Sequence, residues 1–219
     1  MVSLLAGVDE AGRGPVIGPL VVAGVVFKES TIPKLQSLGV KDSKLLSPNE
    51  RKTLEKEILN LASDSRIRYF YPSEIDEYVL HGRKLMKLNW LEAKAMASII
   101  TELHPDVAYV DASDINASRF GSQIHELVPY PVQVISSHHA DRDIAVVSAA
   151  SILAKVNRDR AVEKLWETYG NFGSGYPSDP RTRSFLCSLA DTGAYPDCVR
   201  KSWKTLNRIK RTDENSKLG

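Results

Sequence analysis

The sequence predicts an α/β chain: a mixed sheet with helices on its faces and a helical C-terminal extension. Three observations carry this. Two apolar, β-branched-rich runs, residues 4–8 and 20–27, flank the Gly/Pro segment AGRGPVIGP and read as strand, loop, strand. Later short apolar runs alternate with stretches whose apolar residues recur at three- and four-residue steps. Beyond Asp179 the signals are helical only, with no further strand pattern.

The remaining elements follow in order. Residues 66–71, RIRYFY, form a third strand candidate. Before it, Ser47 is an N-cap, Pro48 occupies the first helical position and Glu50 completes a capping box, which starts a helix over 48–61 with Leu54, Ile58 and Leu61 on one face. SEIDEYVL after Pro72 reads as a short helix. Leu85, Leu88, Leu91, Ala95, Ile99 and Leu103 then define an amphipathic helix that His104 and Pro105 stop. Residues 107–112, VAYVDA, are a short strand ending at Asp111, Asn116 caps the next helix, and 132–137 form another strand. A long helix over 144–169 opens on IAVVSAASILAK, whose small and apolar residues suit close approach to a sheet. Asp179 and Pro180 begin a further helix that Gly193 ends, and a last helix spans 197–208.

At 219 residues, with 42% apolar and 26% charged content, the chain has the composition of an ordinary globular protein, which excludes disordered and membrane classes. No apolar run approaches the ~18 residues of a membrane span, and the N-terminus lacks the pattern of a secretory signal, so a cytoplasmic setting is expected. Cys187 and Cys198 lack metal-like spacing and read as reduced thiols. Net charge is only +2, yet VRKSWKTLNRIKR near the C-terminus holds six basic residues and no acid. It reads equally as a polyanion-facing surface and as a solvated helix face.

Acids at strand ends carry the chemistry. Asp9 and Glu10 follow the first strand, Asp111 ends VAYVD, and Asp141 lies just beyond VQVISS. Adjacent strand ends in one sheet can bring these carboxylates together, and their mutual repulsion then calls for hard divalent cations with oxygen ligands. Mg²⁺ or Mn²⁺ suits this donor set, and two such ions can activate a water and stabilise the leaving oxygen of a phosphodiester. Taken singly, each acid is more readily an ordinary turn or loop residue.

Around them stand residues suited to phosphate and sugar. In GRG, Gly12 and Gly14 let backbone N–H groups approach a ligand, and Arg13 supplies a forked donor. Neither a Walker motif nor GxGxxG is present, which argues against a nucleotide-cofactor fold. KDSK places Ser43 and Lys44 in a loop before a capped helix, within reach of phosphates. GSGYPSDPRTR sets Tyr176 in a Gly/Pro loop, where its ring can stack on a base or sugar or simply cover a core. His138 and His139 read as polar strand-end residues, with support of a bound metal as the lesser alternative.

As an ordered set, DEAGRGPVIGP, KDSK, VDA, HHAD followed by VVSAASILAKVNRDR, and GSGYPSDPRT resemble the ribonuclease HII family, the archaeal branch in particular. The resemblance implies a ribonuclease H-like fold: a mixed five-stranded sheet flanked by helices, with a catalytic core over 1–169, a helical C-terminal subdomain over 170–211 packed on it, and a disordered tail over 212–219. It implies an endoribonuclease that cuts the RNA strand of RNA/DNA hybrids, and cuts 5′ of single ribonucleotides embedded in duplex DNA, leaving 3′-hydroxyl and 5′-phosphate ends. By motif, the catalytic and metal-holding acids are Asp9, Glu10, Asp111 and Asp141; Asp143 is the rival for the fourth place. Two divalent cations per site, Mg²⁺ or Mn²⁺, are implied.

The same resemblance assigns Gly12, Arg13 and Gly14 to the ribose 2′-hydroxyl at the RNA-to-DNA junction and Tyr176 to the sugar of the next deoxynucleotide. Ser43, Lys44, Lys155 and Arg158 are assigned to phosphates. The chain departs from the family pattern in having His139 where a lysine is usual. It also lacks, in DENSKLG, the glutamine-plus-aromatic motif by which some archaeal relatives bind the sliding clamp, which argues against that partner. A monomer acting on RNA/DNA hybrid and ribonucleotide-containing DNA duplex is the expectation. A non-catalytic nucleic-acid-binding protein and another metal-dependent nuclease on the same fold are the alternatives.

Overall fold

The structure, a computed structural model, describes residues 3–40, 46–81, 87–190, 193–206 and 208. Ser43 and Lys44, the expected helix start at Leu85 and the tail 212–219 lie outside the described residues. The chain forms two compact units: Met1–Ala11, Val21–Tyr69 and Leu88–Asn157 make the first, and Gly12–Leu20, Phe70–Lys87 and Arg158–Gly219 the second.

The first unit holds a five-stranded sheet in the order β3-β2-β1-β4-β5. Strand β1, Leu4–Ala11, runs antiparallel to β2, Leu20–Lys28, and parallel to β4, Val107–Asp111, which is parallel to β5, Gln133–Ser137; β3 is Asp64–Phe70. The sheet is mixed, as expected. β1 extends past the expected end at Val8 because Asp9, Glu10 and Ala11 pair with Ala23, Val22 and Val21. β2 is buried over all but its last residue, so its backbone groups need a partner along their whole length, and that need outweighs the charge of Asp9 and Glu10.

Helices cover both faces. A Cβ on Gly7 would lie 2.0 Å from the Val146 carbonyl oxygen, so α7, Ala145–Tyr169, rests its backbone directly on β1. On the opposite face, α4, Lys87–Leu103, packs Ile99 and Leu103 over Val8 and Gly24. The core on the α7 side joins Val25, Phe27, Leu35 and Ile58 to Val147, Ala150 and Leu153.

The shorter helices fit their capping chemistry. In α2, Pro48–Leu61, the Glu50 amide donates to Ser47 Oγ (3.3 Å) and the Ser47 amide to Glu50 Oε2 (2.7 Å). In α5, Ala117–Leu127, the Arg119 amide donates to Asn116 Oδ1 (2.9 Å). Two helices were not expected, α1 at Ile32–Ser37 and α6 at Ala140–Asp143. Both are shorter than two full periods, too short to show an apolar repeat.

The second unit contains α3, Pro72–His81, and α8, Pro180–Ala190, the latter contributing Leu186 to a core with Val16, Ile17, Val162, Phe172 and Val199. The expected helix over 197–208 is corrected here, since helical backbone begins only at residue 204. Tertiary hydrogen bonds claim the preceding stretch. Val199 bridges to Ile17, the Arg200 amide donates to the Val16 carbonyl (2.8 Å), and Asp76 accepts the amides of Lys201 (2.7 Å) and Ser202 (3.0 Å). Among the described residues no helix is long and apolar enough to cross a membrane.

Candidate active site

In the first unit the sheet brings two of the expected acids together. Val8 pairs with Val110, so one step further along these parallel strands Asp9 stands beside Asp111. Both lie on the face of Gly7, beneath α7. Asp9 is only 4% exposed, and its carboxyl is pushed up to about 7, first by burial and then by the Asp111 charge. A hydrogen bond with Ser151, the Lys155 charge and the Glu10 amide (2.7 Å to Asp9 Oδ1) oppose that shift. Lys155 Nζ donates in turn to Ser151 Oγ (2.7 Å), one helical turn away. The family resemblance assigns Lys155 to phosphates, and the sequence does not single out Ser151. Its signal is that it is one of two hydroxyls, with Ser148, in an otherwise apolar helix start.

Asp111 Oδ1 accepts the Ala140 amide (2.7 Å), which ties the end of β4 to the first turn of α6. His139 takes a left-handed conformation (φ 61°) as the chain turns into that helix. Asp141, the next residue after Ala140, is buried, and Asp143 is exposed. The Asp141 carbonyl accepts Ser148 Oγ of α7 (2.8 Å). Glu10 is half-buried, and its backbone pairs with Val22 of β2. His138 Nε2 lies 3.1 Å from the Ile115 carbonyl oxygen.

Among the described residues no three His, Cys, Asp or Glu side chains are drawn together tightly enough to hold a metal ion as the chain stands. The Asp9–Asp111 pair nonetheless fits a hard divalent cation. Its donors are all oxygen, Asp9 is buried beside the half-buried Asp111, and burial together with the Asp111 charge disfavours the Asp9 carboxylate, a penalty that such an ion would offset.

The turn after β4 is braced from within. Asp114, 3% exposed, accepts Asn89 Nδ2 (2.7 Å), the Asn116 amide (2.8 Å) and Arg119 Nη2 (2.5 Å), and these contacts, led by Arg119, hold its carboxyl at about 2. A lowered carboxylate pKa adds stability above the unfolded value near 4, and that stability is lost as pH falls towards 2. Asp114→Ala should therefore cost about 2–3 kcal/mol in urea unfolding at pH 7, with the gap from wild type narrowing below about pH 3.

In the second unit the GRG and GSGY segments form a folded pair. Gly12 has φ +91°, and a Cβ there would lie 2.6 Å from the Pro19 carbonyl oxygen. The Gly175 carbonyl accepts the amides of Val16 (2.9 Å) and Ile17 (3.2 Å). Tyr176, 38% exposed, has its ring edge 3.5 Å from where a Gly14 Cβ would stand. Arg158 is 5% exposed, donates Nη2 to the Ser174 carbonyl (2.7 Å) and places its guanidinium 5.0 Å from the Tyr176 ring centre. Burial lowers its pKa. Arg158 thus builds the loop that presents Tyr176.

Sequence reasoning also missed Arg200, which it had counted within a basic surface run. The side chain is fully buried. It donates Nη2 to the Gly12 carbonyl (2.6 Å), Nη1 to the Arg13 carbonyl (3.0 Å) and Nε to the Gly18 carbonyl (3.0 Å), while its guanidinium stacks over Trp203.

Comparison with known proteins agrees with this architecture. The family model described as Ribonuclease HII matches residues 6–206. Ribonuclease HII of Thermococcus onnurineus is 49% identical over 208 residues, covering 94% of this chain and 89% of the relative. That of Pyrococcus furiosus is 46% identical over 211 residues, covering 95% and 92%. Among solved structures, ribonuclease H2 from Pyrococcus horikoshii superposes with a TM-score of 0.87 at 43% identity, over 96% of this chain and 99% of that one. An Archaeoglobus fulgidus structure, described as a PCNA:RNase HII complex, has a TM-score of 0.85 at 41% identity, over 94% and 96%. The mixed five-stranded sheet with flanking helices is the ribonuclease H-like fold of these relatives. The chain belongs to the ribonuclease HII family, enzymes that hydrolyse the RNA strand of RNA/DNA hybrids.

Proposed function

We propose that this enzyme cuts both RNA/DNA hybrids and duplex DNA carrying a single ribonucleotide, on the 5′ side of that ribonucleotide, leaving 3′-hydroxyl and 5′-phosphate ends. The observation that carries the reading is the buried Asp9 carboxyl beside Asp111 on the neighbouring strand, its pKa raised by burial and by the Asp111 charge. Asp9, Glu10, Asp111 and Asp141 are the residues we assign to two divalent cations, Mg²⁺ or Mn²⁺. When bound, such ions supply Lewis acidity for the attacking water and for the departing 3′-oxygen.

The chain's own residues do the rest. Asp9 orients the reacting phosphate's surroundings, and Ser151 with Lys155 fixes the Asp9 carboxylate. Asp111 fixes the turn that carries Asp141 by accepting the Ala140 amide. Gly12, Arg13 and Gly14 read the 2′-hydroxyl, the group that distinguishes a ribonucleotide from its deoxy neighbours. Tyr176, steadied by Arg158, packs on the adjoining deoxyribose, and we assign Ser43 and Lys44 to phosphates. The proposed setting is cytoplasmic and the enzyme a monomer; both cysteines being free thiols supports the former.

The test is a short duplex with one ribonucleotide, incubated with and without Mg²⁺ or Mn²⁺, with the nick mapped. A metal-dependent nick immediately 5′ of the ribonucleotide is expected. Salt-sensitive binding without a nick would instead favour a binding protein, and nicking of all-DNA duplex would favour a less selective nuclease. Arg13→Ala should reduce kcat/KM on the single-ribonucleotide duplex by roughly tenfold, the worth of one charge-assisted hydrogen bond, while affinity for all-DNA duplex stays near wild type.

A further inference from the structure

We infer that Arg200 is a positioning residue for recognition of the ribonucleotide: it holds the peptide planes of the GRG turn so that their amides face the ligand. The inference rests on the reading of GRG as the element that senses the 2′-hydroxyl.

The geometry is specific. The guanidinium collects the carbonyls of Gly12, Arg13 and Gly18, and Trp203 Nε1 donates to the Gly14 carbonyl (3.3 Å). Carbonyls from three consecutive residues are thus drawn inward. In a trans peptide the N–H points opposite to the C=O. Drawing in the Gly12 and Arg13 carbonyls therefore turns the Arg13 and Gly14 amides the other way. Pro15 has no N–H, so these two donors are what the turn can offer from its backbone at that point. Gly14 is exposed on that side and has no Cβ to obstruct an approaching sugar.

A fully buried arginine is costly to desolvate unless its donors are satisfied. The fork meets three carbonyls spread over seven residues, and the Trp203 ring lies against its face at 4.8 Å. The Arg200 amide also donates to the Val16 carbonyl (2.8 Å), which fixes the arginine's own backbone to the same segment. Lysine, with one compact ammonium, cannot span those carbonyls. Arg200 therefore acts through the turn rather than on the nucleic acid, although it falls in the most basic stretch of the sequence.

The test measures selectivity in a way that active fraction does not affect. The KM for duplex with one ribonucleotide is compared with the Ki of an all-DNA duplex of the same sequence used as inhibitor. Arg200→Gln should raise KM roughly tenfold with Ki unchanged, the expected loss when charge-assisted hydrogen bonds stop holding the amides. Arg200→Lys should recover only part of that loss. Trp203→Phe, which keeps the ring and removes one donor, should raise KM about twofold to fivefold and serves if the arginine variants fold poorly. A merely structural role would lower kcat and melting temperature and leave Ki/KM at the wild-type value. That value in all three variants, with Arg13→Ala still impaired, would overturn the inference and spare the reading of GRG. Equal KM and Ki in the wild-type enzyme would remove both.

Discussion

Asp9→Asn is expected to lower kcat on a hybrid duplex by about a thousandfold or more, since a carboxylate lost from a metal-assisted hydrolysis forfeits several kcal/mol of transition-state stabilisation. Hybrid affinity should stay near wild type, because the residues proposed to hold phosphates are untouched. Stability should move the other way. The Asp9 carboxyl is pushed up to about 7 in the folded protein, from an ordinary value of 3.8. A raised carboxyl pKa means the native state keeps a proton that the unfolded chain releases, so its stabilisation is full below about pH 4 and is lost as pH rises through 7. Metal-free wild-type protein should therefore lose melting temperature, relative to the Asn variant, between pH 5 and pH 8. Mg²⁺ at pH 8 should restore wild type more than the variant, since only wild type carries the charge that the ion offsets. Turnover in Asp9→Asn that recovers at high Mg²⁺, or identical pH profiles of stability for both proteins, would remove Asp9 from the site.

Much of this arrangement was legible because it rests on local chemistry. Ser47, Pro48 and Glu50 mark a helix start by their own side chains and backbone, whatever surrounds them. The long helix announced its burial through small residues, and Gly7 shows how closely it approaches the sheet. Other features depend on partners distant in sequence. Asp9 reads as a strand-end acid, yet it lies inside β1 because β2 supplies ladder partners as far as Val21. Arg200 is the clearest case, because a basic residue among basic neighbours gives no hint that three carbonyls from residues 12–18 enclose it. The helix expected over 197–208 gave way for the same reason, since Asp76 and Ile17 compete for its backbone groups and neither is near it in the chain.

The largest effect on stability should come from Gly7→Ala. A methyl at this position would lie 2.0 Å from the Val146 oxygen, 2.1 Å from its carbon and 2.5 Å from the Val147 nitrogen. All three are backbone atoms of α7, so no side-chain rotation makes room. The helix has to lift from β1 along Val147, Ala150 and Leu153, opening contacts across the core. Overpacking of this kind costs about 3 kcal/mol or more, read as a fall in the urea midpoint. Gly39→Ala is the control: φ there is +71° with open space around it, so only backbone strain is added, about 1 kcal/mol. Equal losses in the two variants would mean that α7 does not rest on β1 this closely. The same displacement bears on chemistry, because Ser151 and Lys155 ride on α7 and hold the Asp9 carboxylate from that side. Gly7→Ala should consequently lose activity at temperatures where its circular dichroism still shows a folded protein, whereas Gly39→Ala should lose the two together.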